Sequence, residues 1–164
     1  QGKNYGIELE FSWFPSETLA LFGSLGLLET EFDIPLSQDL DSRDQAHAPA
    51  YQFSLGARVQ FTDSLALSLD VEGKDDFYLS SSHGEKSKSY ELLNANLTYI
   101  LGDWELSLWG RNLFDDEVII RGFNFAGFSG NAYYGNDPRK GWITESYYQL
   151  AAPRVIGFSG KYDF

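Results

Sequence analysis

The chain has no cysteine and no methionine among its 164 residues. The first absence removes disulfide scaffolds, thiolate metal sites and cysteine nucleophiles. The second leaves no initiator residue, so Gln1 reads as an end made by processing or truncation, and no basic, apolar signal peptide stands at the start. Basic side chains are scarce: 12 Lys plus Arg face 24 Asp plus Glu, for a net charge of -12. A chain so acidic, with no Lys/Arg cluster, repels a phosphate backbone, which excludes nucleic acid as a partner. Long apolar runs are missing as well. The most apolar charge-free stretch, Thr18 to Leu28, falls well short of the roughly 20 residues that a membrane-spanning helix needs.

Ring and aliphatic surface is what the chain has in quantity. At 43% hydrophobic and 16% aromatic residues, it carries more apolar surface than a disordered acidic tail can leave in water, and its length suits one domain rather than two.

That surface recurs with period two, the spacing that puts successive side chains on opposite faces of a strand. Tyr51, Phe53, Leu55, Ala57, Val59 and Phe61 form one face, opposed by Gln52, Ser54, Gly56, Arg58, Gln60 and Thr62. Tyr5, Ile7, Leu9, Phe11 and Trp13 alternate with Gly6, Glu8, Glu10 and Ser12, and Leu65, Leu67, Leu69 and Val71 with Ser68, Asp70 and Glu72. Leu19, Leu21, Leu25 and Leu27 make a fourth apolar face, with Phe22 and Leu28 on its other side. Leu93, Ala95, Leu97 and Tyr99 make a fifth, opposite Asn94, Asn96 and Thr98. Trp104, Leu106 and Leu108 begin a sixth, and Ile156, Phe158, Tyr162 and Phe164 form the last. The pattern predicts seven strands of roughly ten residues, the length at which a tilted strand crosses an outer membrane.

Connections alternate in length. Tight polar turns are expected around Pro15-Ser16, Thr62-Asp63-Ser64 and Gly102-Asp103, and long loops over 32–48, 80–88 and 115–152. Short turns on one side and long loops on the other are the layout of an outer-membrane barrel. Glu8, Glu10, Arg58, Asp70 and Glu72 would then line a lumen. Rings near strand ends, such as Tyr5, Trp13, Tyr51, Phe61, Tyr99, Trp104 and Tyr162, would sit where lipid meets water. A soluble sandwich alternates too, so period alone leaves two rivals open: a carbohydrate-binding β-sandwich, and a self-contained eight-stranded barrel. Parity bears on the second. Complete bacterial barrels have even strand numbers with both ends in the periplasm, so seven strands imply either an eighth element within Val118 to Phe125 or the last part of a larger barrel.

The run Gly110-Arg111-Asn112-Leu113-Phe114-Asp115-Asp116-Glu117 resembles the Asn-Leu-Phe-Asp motif near the C-terminus of TonB-dependent outer-membrane receptors. Asn136-Asp137-Pro138-Arg139, the segment from Ala152-Pro153-Arg154 to Phe158 and the ending Tyr162-Asp163-Phe164 are similar to that family's final loop and strand, and Gly6-Ile7-Glu8 to its recurrent Gly-x-Glu strand. The resemblance implies an all-β, antiparallel up-and-down transmembrane barrel, with 1–164 as about the last seven strands of a barrel of about 22. It further implies a bacterial outer-membrane transporter, not an enzyme, that imports a scarce nutrient, above all a ferric siderophore. Energy would come from the TonB complex, contacted through a plug and N-terminal region absent from this chain. Expected partners are outer-membrane lipid, lipopolysaccharide and the barrel-assembly machinery. Ile156, Phe158, Tyr162 and Phe164 resemble the signal that this machinery reads by strand addition.

The loop 115–152 mixes rings with cations. Arg121, Phe123, Tyr133, Tyr134, Arg139 and Trp142 suit an aromatic, anionic ligand such as a catecholate siderophore, although a long loop also packs its own rings into a compact lid. Asp39, Asp41 and Asp44 lack the glycine and distal Glu of a calcium loop. His47 and His83, the two histidines, fall in separate loops. The glycine-rich run Gly122 to Gly141 lacks a phosphate loop's Gly-Lys-Ser/Thr, and neither Gly127-Phe128-Ser129-Gly130 nor Gly157-Phe158-Ser159-Gly160 completes a nucleophile elbow. No catalytic residue, metal or cofactor is assigned.

Overall fold

The computed structural model describes residues 2–32, 43–81, 84–124 and 146–164. Its strands are β1 (Gly2–Ser16), β2 (Leu19–Phe32), β3 (Tyr51–Thr62), β4 (Leu65–Lys74), β5 (Tyr90–Leu101), β6 (Trp104–Arg111), β7 (Ile119–Asn124), β8 (Ser146–Leu150) and β9 (Val155–Tyr162). Seven of them form one antiparallel sheet in the order β1-β2-β3-β4-β5-β6-β9, a meander whose two edge strands do not meet within this chain. The extra element expected within Val118 to Phe125 exists as β7. It pairs with β8 and not with the wall, extending the β6–β9 hairpin outward.

Register carries the alternation of each strand across the whole sheet. One cross-strand row reads Trp13, Leu21, Ala57, Leu69, Ala95, Gly110, Ile156, and the next Leu19, Val59, Leu67, Leu97, Leu108, Phe158. On the opposite face the rows read Ser12, Phe22, Gly56, Asp70, Asn94 and Ala20, Arg58, Ser68, Asn96, Trp109, Gly157. A one-residue slip of any strand would carry its apolar set into the polar face, so burial of one face fixes the pairing.

Among the described residues no second sheet covers the apolar face, as a sandwich would require. Ile7 remains 62% exposed, Leu9 60%, Leu108 54% and Phe158 68%. Moving each such side chain from water to hydrocarbon contributes about 1.5–3 kcal/mol, which a surrounding apolar solvent supplies. From Tyr5 to Trp13 the strand advances about 27 Å, or about 20 Å along the normal at a 40° tilt, close to the height of an outer-membrane apolar band. Rings mark the limit of that band at the short-turn rim, where Trp104 and Tyr162 lie 5.0 Å apart and Tyr162 and Phe164 5.1 Å.

Most buried apolar side chains lie outside the wall. Among the described residues they are Ala66, Phe77, Leu79 and Val118, and the last three belong to the long connections. This shifts a boundary: the loop after β4 runs from 75 to 89, not from 80, because Phe77 and Leu79 leave the sheet to pack between loops. The first turn is displaced too, to Glu17-Thr18, since the register slips between Trp13 and Ser16 and Pro15 sits in that irregularity, where no ladder donor is needed. Ser16 Oγ then accepts a hydrogen bond from the Thr18 N–H at 3.3 Å. The turns at Asp63-Ser64 and Gly102-Asp103 fall where expected, the latter with Gly102 at φ 59°.

Two rings of the inner face lie flat over glycine. A Cβ on Gly56 would stand 2.0 Å from the Phe22 ring, and one on Gly157 2.2 Å from the Trp109 indole, whose Nε1 donates to Ser159 Oγ at 2.9 Å. Gly56→Val is therefore expected to force Phe22 off its rotamer and to lower stability by about 1–3 kcal/mol. Gly84→Ala, with open space around the new methyl, should stay within about 0.5 kcal/mol in urea unfolding from detergent micelles.

Candidate functional site

The inner face of the wall is polar and concave. Glu8, Gln52, Lys74 and Tyr90 share one row, and Glu10, Ser24, Ser54 and Glu72 the next, with Ser24 and Ser54 hydroxyls 2.9 Å apart. Carboxylates, hydroxyls and amides so placed suit water or a polar protein surface, while the opposite face suits hydrocarbon.

At the long-loop rim the motif Asn112-Leu113-Phe114-Asp115 ends β6 in a hydrogen-bonded knot. Asn112 is buried, 4% exposed, with φ at 49°, the left-handed region that Asn enters more readily than other side-chain-bearing residues. Its Nδ2 donates to the Asp116 carbonyl at 2.9 Å and to the Ala152 carbonyl at 3.4 Å, and its Oδ1 accepts from the Asp116 N–H at 3.0 Å. Asp115, at φ 61°, accepts from the Arg154 N–H at 2.9 Å and pairs with that guanidinium at 3.5 Å. Leu113 fills the space beside Gly110, where a Cβ would come within 2.5 Å, whereas Phe114 is 67% exposed. The motif and the Pro-Arg segment, 40 residues apart in sequence, thus form one joint that sets the base of the outer hairpin. It also starts the last long connection at Asn112, earlier than the expected 115.

Above the rim, the loops 43–50 and 75–89 and the outer hairpin pack together. The Arg43 guanidinium lies 4.4 Å and Lys86 Nζ 4.7 Å from the Tyr78 ring centre. Lys86 donates to Asp76 at 2.9 Å, and this bond raises its pKa above the ordinary 10.5 against a smaller opposing effect of burial, so the ammonium stays charged well into alkaline solution. Glu85 accepts from the Ser146 hydroxyl and, at 3.2 Å, from the Tyr148 hydroxyl, which fastens β8 to the neighbouring loop. Leu79 lies against Gly122 of β7, leaving no room there for a Cβ.

The residues singled out in the sequence fall into three places. Ile156, Phe158 and Tyr162 stand on the outer face of β9, with Phe164 beyond its end. Arg121 is exposed on β7, paired opposite Gln149, and Phe123 lies on the same strand opposite Tyr147. Tyr133, Tyr134, Arg139 and Trp142 lie outside the described residues, as do Asp39, Asp41 and His83. Asp44 adds its negative charge to the surroundings of Lys86. His47 takes φ 58°, donates its backbone N–H to the Tyr78 carbonyl at 2.9 Å and packs its ring, tilted by 43°, against Phe77 at 5.5 Å, a packing role. Among the described residues no group of three or more acidic or histidine side chains is placed to hold a metal ion. Sequence reasoning missed Tyr78, Glu85 and Asn94. The alternation of Phe77 and Leu79 within a polar loop was the available signal for the first.

No family model matches the sequence. Among solved structures, the ferric yersiniabactin uptake receptor FyuA from Yersinia pestis superposes with a TM-score of 0.78 at 18% identity, over 99% of this chain and 24% of that one. The ferric-catecholate import receptor Fiu from E. coli K12 gives 0.68 at 17%, over 97% and 21%. BauA, the ferric preacinetobactin receptor from Acinetobacter baumannii, gives 0.67 at 20%, over 99% and 22%. This is the barrel-wall fold of TonB-dependent siderophore receptors. The chain spans about a quarter of the length of the structures it matches. In a wall of this fold the apolar face of β1 to β6 and β9 is the outer one, the polar rows form the inner one, and the knot at Asn112 stands at the long-loop end.

Proposed function

We propose that this chain is the C-terminal part of the barrel of an outer-membrane importer of a ferric siderophore, energised through TonB. The reading rests on one observation above all: an unbroken apolar face, backed by a polar one, in the fold of receptors whose names describe siderophore uptake. On this reading the protein is a transporter and not an enzyme, resident in a bacterial outer membrane among lipid and lipopolysaccharide. Ile156, Phe158, Tyr162 and Phe164 serve the barrel-assembly machinery. Arg121, Phe123, Tyr133, Tyr134, Arg139 and Trp142 contact the ligand from the outer hairpin and its loop, where rings stack on an aromatic chelator and cations offset its negative charge.

Transport of radiolabelled iron tests the proposal. Deleting the gene that encodes this chain should abolish uptake of at least one ferric siderophore under iron limitation, and the intact gene should restore it. Unchanged uptake of every ferric chelate, with loss of cobalamin or oligosaccharide uptake instead, would replace the substrate.

A further inference from the structure

A continuous hydrogen-bond chain runs from the inner face of the wall to the base of the outer hairpin. Asp70, half-buried on β4, accepts at Oδ2 from Asn94 Nδ2 at 2.7 Å. Asn94 Oδ1 accepts from the Asn112 N–H at 3.0 Å. The Asn112 side chain in turn holds both backbone groups of Asp116, which leads into β7, and the carbonyl of Ala152, which follows β8.

The chemistry of the middle link makes the chain directional. An amide offers a donor on one side and an acceptor on the other, so Asn94 satisfies Asp70 and Asn112 together in one orientation only. Reversed, it would set its carbonyl against a carboxylate and its NH2 against an N–H. The 2.7 Å bond to the carboxyl group is the shorter of the two and fixes the orientation on which the Asn112 contact depends. Asp70 is also open to the interior, in a trough it shares with Asn96, Trp109 and Arg111. A guanidinium or ammonium group arriving there competes with Asn94 for the same carboxylate.

We propose that Asp70, Asn94 and Asn112 form a coupling device, through which engagement of Asp70 from inside the barrel loosens the base of the outer hairpin. The proposal stands on the wall geometry and does not require that the cargo be a siderophore. Amide hydrogen exchange on the membrane-embedded protein tests it, because Asp70 reaches Asn112 and Asp116 through its hydrogen bond to Asn94. Asp70→Ala and Asn94→Ala should each raise exchange at the Asn112 and Asp116 amides about tenfold, leaving Gly26 and Ser54 in β2 and β3 unchanged. Asp70→Asn, nearly the same shape and still an acceptor, should give a smaller rise and covers the case in which the alanine variant fails to insert. The double variant should match Asn94→Ala alone, as expected when both residues act through one link. Wild-type exchange at Asn112 and Asp116 in both Asp70 variants would overturn the proposal, and so would effects of Asp70→Ala and Asn94→Ala that simply add.

Discussion

Leu97→Arg is expected to destabilise the embedded protein by about 2–4 kcal/mol, and Asn96→Arg, one residue away, by no more than about 0.5 kcal/mol. Leu97 is central in the outer row of β5, 38% exposed, between Leu67 and Leu108. An arginine there must bring its guanidinium to the bilayer midplane or drag water and headgroups towards it, since neighbouring strands leave it no polar partner. Asn96 belongs to the inner row with Ser68 and Trp109, in the trough that also holds Asp70. A guanidinium at that position stays hydrated and meets the Asp70 carboxylate, which raises exchange at the hairpin base if the coupling proposed above holds but leaves the stability of the wall nearly unchanged. Urea unfolding of both variants in lipid, followed by the mobility of the folded form on gels, measures the difference. Equal costs would mean that the face assigned to hydrocarbon does not meet it.

The contrast between those two neighbours was legible in the sequence because it rests on period two alone. Tyr5 to Trp13 and Leu65 to Val71 each read as strands without reference to partners, and the sheet keeps every one of those alternations on its predicted face. Even Phe22, an apolar residue on a polar side, is where its parity puts it, and covers Gly56. What the sequence concealed depends on contacts between distant segments. Phe77 and Leu79 alternate like a strand, yet they are buried between loops. Nothing local to Glu85 announces Ser146 and Tyr148 as partners some sixty residues on. The motif at Asn112 was visible as a string of letters, but its whole reason was not: the left-handed turn and the bonds to Asp116 are local, whereas the bond to Ala152 exists only once β9 has returned beside β6.

Replacing Asn112 separates the two parts of that reason. Asn112→Ala is expected to cost about 3–5 kcal/mol at the hairpin base. It removes three hydrogen bonds to the backbone of Asp116 and Ala152, at about 0.5–1.5 kcal/mol each, and forces an ordinary residue into the left-handed region, at roughly 1–2 kcal/mol. Asn112→Gly keeps the backbone conformation and loses only the bonds, so it should recover about 1–2 kcal/mol of that loss. Asn112→Asp still accepts from the Asp116 N–H but turns a carboxylate oxygen towards two carbonyls, which repels where Nδ2 donated, and should be no better than alanine. Proteolytic nicking between β6 and β9 in the membrane-embedded protein reads the loosening directly, with the wall strands as the internal standard. If alanine and glycine behave alike, the left-handed backbone is not what selects asparagine. If both resemble the wild type, the bonds to Asp116 and Ala152 do not hold the hairpin to the wall.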